Sequence, residues 1–194
     1  MSNEAAARML ETLMEGNRRF VSGTAEHPRQ GPARRVEAAG GQRPAAAVVT
    51  CSDSRVSPEL IFDQGIGDLF VLRSAGNLLD AVGIASIEYA VEHFGVPLVI
   101  VMGHSRCGAV AAALEPGEVT GHLSHVVSAL RPAIERARKC GGDLADNASR
   151  ENVRTIVALL RRSEPIMKEL VERQKLSIVG AFYDLASGLV TLID

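Results

Sequence analysis

The chain has 194 residues, 46% of them hydrophobic, with 18 glycines and 8 prolines, which fits a single domain over 1–194 and leaves too little for two. Its formal charge of −2, with acidic and basic residues interspersed, gives no electrostatic footprint for nucleic acid and no polybasic face for a membrane. No apolar run approaches the ~20 residues that cross a bilayer, the opening segment lacks a signal-peptide core, and three cysteines, an odd number, do not make a disulfide framework, so a cytoplasmic protein with free thiols is expected.

In chain order, residues 3–21 place Met9, Leu10, Leu13, Met14 and Phe20 near helical spacing, with Gly23 and Pro28 as breakers. The polar, Gly/Pro-rich stretch from Thr24 to Gln42 reads as an irregular connection, so residues up to about 43 form an N-terminal helical arm. Ala45 to Thr50 predict a first strand, and Ser57-Pro58-Glu59 predicts the capped start of a short helix. Leu69 to Leu72 give a second strand. Helical periodicity runs from Leu79 to Phe94 and stops at Gly95, and Leu98 to Met102 form a third, buried strand.

Ser105 is the expected cap of the next helix, which Pro116-Gly117 ends. Residues 121–174 read as helix interrupted at Pro132, Gly141-Gly142 and Pro165; they carry most of the Arg and Lys on solvated faces. Leu176 to Tyr183 and Leu189 to Ile193 then form a hairpin around Ala186-Ser187-Gly188. Strands alternating with helices, followed by one hairpin, predict an α/β fold. Its mostly parallel central sheet has about four strands plus an antiparallel edge strand, and helices flank it.

Two short blocks carry the chemistry: Cys51 in VVTCSDSRV, and His104 with Cys107 in VIVMGHSRCGAV. Each follows an apolar β-branched run and precedes a helix, the place where α/β sheets put their sites. His104 and Cys107 stand three apart at a helix start and share a face, while Cys51 arrives from a neighbouring strand. Two thiolates and one imidazole make a zinc ligand set, and three protein ligands are the catalytic number, since a structural zinc closes with four. The helix start should lower the pKa of Cys107.

Two thiolates also neutralise the charge of a divalent ion, so the surrounding groups matter. Asp53 and Arg55 follow Cys51 at alternate positions and point the same way in an extended segment. A carboxylate there either accepts a proton from water or closes the site as a fourth ligand, and a bidentate guanidinium would hold it off the metal. Cys140 reads as an inert thiol, His122 with His125 as structural, and His27 carries no signal. Too few residues separate Cys51 from Arg55 for a cysteine-phosphatase phosphate cradle.

With these residues assembled, the chain resembles the β-class carbonic anhydrases. Their C-x-D-x-R and H-x-x-C signatures stand here as Cys51-Ser-Asp53-Ser-Arg55 and His104-Ser-Arg-Cys107. EGNRRF at 15–20, DLFVLRSAGNLL at 68–79, SIEYAV at 86–91 and IVGAFYDLASG at 178–188 are also similar to segments of that family. The resemblance implies reversible hydration of CO2 to bicarbonate and a proton by zinc-bound hydroxide. Cys51, His104 and Cys107 would be the zinc ligands, and Asp53 with Arg55 the catalytic dyad.

Gln42, Phe70 and Tyr89 match the family's substrate-pocket positions in its plant-like subtype. The other, bicarbonate-inhibited subtype has a tryptophan near Ala45, and this chain has none. The resemblance further implies a homodimer as the minimum unit, or a homotetramer, with pocket residues drawn partly from a second subunit. Four residues after Tyr89 on one helix face, His93 is a candidate proton relay. The alternatives are a related hydrolase of carbon disulfide-type heterocumulenes and a noncatalytic zinc-binding protein, which would need neither Asp53, Arg55 nor Gln42.

Overall fold

Five strands make one sheet in the order β2-β1-β3-β4-β5: β1 (Ala46–Cys51), β2 (Leu69–Ser74), β3 (Leu98–His104), β4 (Ser177–Tyr183) and β5 (Val190–Ile193). The first four run parallel, and β5 pairs antiparallel with β4, which fulfils the expected architecture. The computed structural model describes residues 4–117 and 119–193.

Strand side chains alternate between faces, and β1 and β3 show it directly. Ala47, Val49, Val99 and Val101 enter one core with Ile87, Ala90, Val153, Ile156 and Leu160, whereas Ala46, Val48, Leu98, Ile100 and Met102 enter another with Leu13, Ile61 and Phe62. Both faces are therefore covered, as a parallel sheet requires. The first core is roofed by α4 (Ala81–Phe94), α7 (Leu144–Arg162) and α8 (Ile166–Glu172), the second by α1 (Glu4–Ser22) and α3 (Pro58–Ile61). A third apolar cluster joins Cys51 and Cys107 to Val110 of α5 (Gly108–Leu114), Leu130 and Ile134 of α6 (Leu123–Ala137) and Ala148 of α7. It lies where β1 and β3 end, so the turns that carry Cys51 and Cys107 rest on apolar packing.

Buried Asn17 fastens the N-terminal helix to the rest. Its Nδ2 donates to the carbonyls of Ile61 (3.2 Å) and Gly188 (2.8 Å), and its Oδ1 accepts from the amide of Val190 (2.9 Å). Asp63 does the same for the following segment, accepting from Arg19 Nε at 2.7 Å and from the amides of Glu26 and His27 at 3.0 and 2.9 Å.

Local differences from the sequence expectations have simple causes. Residue 3, the expected start of the first helix, lies outside the described residues. Within the supposed irregular connection stands α2 (Pro32–Ala38), where proline at the first turn precedes good helix formers. Pro132 does not interrupt α6. Both Pro132 and Ser128, whose carbonyl loses its helical donor, are exposed, so water can serve that oxygen. Ser105 caps no helix; its hydroxyl accepts from the amide of Leu185 at 2.9 Å, Arg106 takes a left-handed turn (φ 53°), and α5 starts with Cys107 as its N-cap.

Candidate metal centre

β1 and β3 are adjacent and parallel, so Cys51 at the end of one and His104 at the end of the other meet at the same edge of the sheet. The turn after His104 brings Cys107 to them. Cys51 Sγ, a His104 ring nitrogen and Cys107 Sγ all lie within 4.8 Å of one another, and all three residues are buried. Nδ1 of His104 donates to the carbonyl of Ser105 at 2.9 Å. That bond fixes the tautomer and leaves the Nε2 lone pair free.

Nε2 has no hydrogen-bond partner although His104 is fully buried. A buried, unsatisfied nitrogen costs about 1–3 kcal/mol, and two sulfurs converge beside it, so the donor set fits a borderline-soft ion such as zinc. Among the described residues this is the one group of three or more potential ligands that converges in this way.

The two thiols share a proton. A hydrogen bond from Cys107 draws the pKa of Cys51 down to about 4, against the opposing effect of burial, and His104 and the amides of Asp53 and Gly76 add to the fall. The same bond, then burial and the Cys51 charge, holds Cys107 far above the usual thiol range. The amides of Val110 and Ala109 do act on Cys107 in the expected direction, but its partner sulfur outweighs them.

Asp53 and Arg55 form the pair anticipated from their spacing. Arg55 Nε donates to Oδ1 at 2.9 Å, Nη2 to Oδ2 at 2.7 Å, and the Arg55 amide to Oδ1 at 3.0 Å. These bonds keep the Asp53 carboxyl well below its ordinary range, with burial opposing. Oδ2 stands 3.9 Å from His104 Nε2. The carboxylate thus borders the metal-binding atoms while Arg55 occupies both of its oxygens. Arg55 Nη2 also reaches the carbonyl of Arg106 at 3.3 Å, tying the dyad to the His104–Cys107 turn.

Gln42, Phe70, Tyr89 and His93 stand elsewhere. Phe70 is paired with Ala47, four residues before the Cys51–Ser74 pair, which puts it roughly 13 Å down the strand. Tyr89 packs against Phe70 (ring centroids 6.4 Å apart) and His93 against Tyr89 (4.4 Å). Gln42 precedes β1, so the length of that strand, roughly 17 Å, separates it from Cys51. Within one chain, none of the four reaches the cluster.

Several residues that hold the centre carry no motif. Arg73 on β2 donates from Nε to the Cys51 carbonyl (3.1 Å) and from Nη2 to the Asp53 carbonyl (2.6 Å). Ser149 and Asn152 on α7 bond to the carbonyls of His104 and Gly76. An arginine inside the strand-like run VLRS was the one available hint; the other contacts depend on the folded chain.

Comparison with known proteins gives a consistent answer. The sequence pattern of the carbonic anhydrase family matches residues 46–190. Over 201 residues the chain is 40% identical to carbonic anhydrase 2 of Mycobacterium tuberculosis, spanning 100% of this chain and 96% of that protein. It is 41% identical over 196 residues to the carbonic anhydrase of Mycolicibacterium smegmatis, spanning 99% and 95%. Among solved structures, a tetrameric β-carbonic anhydrase from Sordaria macrospora superposes with a TM-score of 0.77 at 27% identity, covering 96% of this chain and 97% of that one. The Coccomyxa β-carbonic anhydrase in complex with acetazolamide gives 0.75 at 31% identity, covering 93% and 84%.

Proposed function

Since this chain belongs to the β-carbonic anhydrases, enzymes that hydrate CO2 reversibly to bicarbonate, we propose that it works through one zinc ion held by Cys51, His104 and Cys107, with Asp53 and Arg55 beside it. The observation that carries this reading is the buried triangle of donors in which His104 Nε2 alone lacks a partner. Bound there, zinc would supply the Lewis acidity that makes water a nucleophile at neutral pH.

The residues around it have separable tasks. Asp53, ionised and gripped on both oxygens, accepts a hydrogen bond at Oδ2 and orients the attacking oxygen toward CO2. Arg55 restrains that carboxylate from swinging in as a fourth ligand, which favours the open, plant-like arrangement; the absence of tryptophan from the chain points the same way. Cys51 and Cys107, whose thiols must stay reduced to bind metal, suit the cytoplasm. No helix among the described residues is long and apolar enough to cross a membrane.

Gln42, Phe70 and Tyr89 serve the site of a second copy. Their distance from their own cluster supports this assignment, as does the exposure of Tyr89, which packs on the part-buried Phe70. In the partner's site, Phe70 gives an apolar wall for an uncharged substrate, and the Gln42 amide donates to an oxygen that gains charge in the transition state. His93, packed against Tyr89 with its ring tilted by 45°, would relay protons only across the same interface. The Sordaria relative, described as tetrameric, supports an assembly of at least two chains. Zinc quantification together with stopped-flow CO2 hydration tests the reading: about one zinc per chain with rapid turnover is expected, and metal-free protein with full activity would refute it.

A further inference from the structure

Helix α7 reaches the ends of two strands with one face. Ser149 and Asn152 stand three residues apart, hence side by side, and each is 2% exposed. The Ser149 hydroxyl donates to the carbonyl of His104 at 3.1 Å, and Asn152 Nδ2 donates to the carbonyl of Gly76 at 2.8 Å. Helix and strand pack closely here, since a Cβ on Gly103 would lie 2.8 Å from both Ser149 Oγ and Val153 Cγ2. Gly76, in the short turn Ala75–Asn77 after β2, directs its own amide at Cys51 Sγ, at 3.4 Å. It does so from the left-handed region (φ 65°, ψ 26°), where a side chain would be strained and would also lie 3.3 Å from Ala109 Cβ and 3.4 Å from Leu130.

We propose that Asn152 is a positioning residue for the metal centre, anchoring the Gly76 carbonyl so that the Gly76 N–H stays on the Cys51 sulfur and lessens the charge that this thiolate gives to bound metal. The carbonyl and the amide flank one Cα, so fixing the first limits rotation of the second. The electrostatic need is plain: two thiolates cancel the formal charge of a divalent ion, and a hydrogen bond to one of them withdraws electron density from the sulfur and leaves the metal more electrophilic. Asn152 touches neither ligand nor substrate. The inference rests on the reading that Cys51, His104 and Cys107 bind zinc.

Cobalt(II)-substituted protein tests it, because thiolate-to-cobalt charge transfer reports on the sulfur lone pairs. Asn152→Leu keeps the side-chain bulk and removes the donor. Its charge-transfer band should move to longer wavelength than in the wild type, and zinc affinity should fall about 10-fold. Ser149→Ala, which deletes a comparable buried bond from the same helix to the carbonyl of His104, should leave that band in place. An unmoved band in Asn152→Leu, or an equal shift in Ser149→Ala, overturns the proposal. Should Asn152→Leu fail to fold, wild-type protein loaded with an NMR-active cadmium isotope gives a second test. A scalar coupling between the Gly76 amide proton and cadmium is expected, and its absence overturns the proposal. If wild-type protein binds neither cobalt nor cadmium, the zinc reading itself has failed, which is a separate outcome.

Discussion

Arg55 grips both carboxylate oxygens of Asp53, at 2.9 and 2.7 Å, while Asp53 Oδ2 stands 3.9 Å from the free nitrogen of His104. One guanidinium therefore holds both oxygens of the carboxylate that borders the proposed metal site. Asp53→Asn should retain zinc and lose roughly 100-fold or more in kcat. Arg55→Lys supplies charge without the fork, and should lose activity while the carboxylate gains freedom to ligate. Metal analysis beside stopped-flow kinetics checks both; turnover unchanged in Asp53→Asn would remove Asp53 from the chemistry.

If Gln42 acts in a partner's site, two crippled variants should repair each other. Gln42→Ala keeps its metal ligands, and Cys107→Ser keeps Gln42, so a mixed dimer holds one site with both parts intact. Random reassortment of the two variants leaves roughly a quarter of all sites complete. Activity rising toward that level after mixing is expected; a mixture no more active than the average of its components would place Gln42 in its own chain's site or in none.

Asp63 predicts a stability profile in acid. Burial pushes its pKa up, but the amide of Glu26, the guanidinium of Arg19 and the amide of His27 together pull it below the ordinary value. A depressed folded-state pKa contributes stability that is fully present above the unfolded value of about 3.9 and lost as pH falls through the lower folded value. Asp63→Asn should thus cost about 3 kcal/mol near neutrality, with the difference from wild type shrinking below about pH 4. Denaturant titrations at several pH values measure it, and a difference that grows toward acid would contradict the assignment.

Cys51 and His104 were legible in sequence because each stands at a strand end, and Cys107 because it opens the helix three residues after His104; strand order brings such ends together. Asp53 and Arg55 were legible from their alternate spacing after Cys51, although Ser54 and Arg55 form a turn and not the extended segment expected. Gln42, Phe70, Tyr89 and His93 came from family resemblance, and spacing along one chain does not say which subunit's site a residue serves; the register of Phe70 opposite Ala47 makes the separation visible. Asn152 was beyond reach, since it bonds the backbone of a residue 76 positions away, and no local pattern encodes such a contact. Pro132 was misread because the helix-breaking rule assumes a buried interior, whereas here Pro132 and Ser128 are both exposed.

In the proposed mechanism two sulfurs and one imidazole nitrogen hold the metal on which CO2 hydration depends. The most direct measurement is zinc content and stopped-flow hydration on the same preparations of wild type and Cys107→Ser. About one zinc per chain with rapid turnover is expected in the first. In the second, zinc affinity should fall by more than the roughly 100-fold that marks loss of an outer partner, and activity should fall with it. A Cys107→Ser protein with full zinc occupancy and full activity would strike Cys107 from the ligand set.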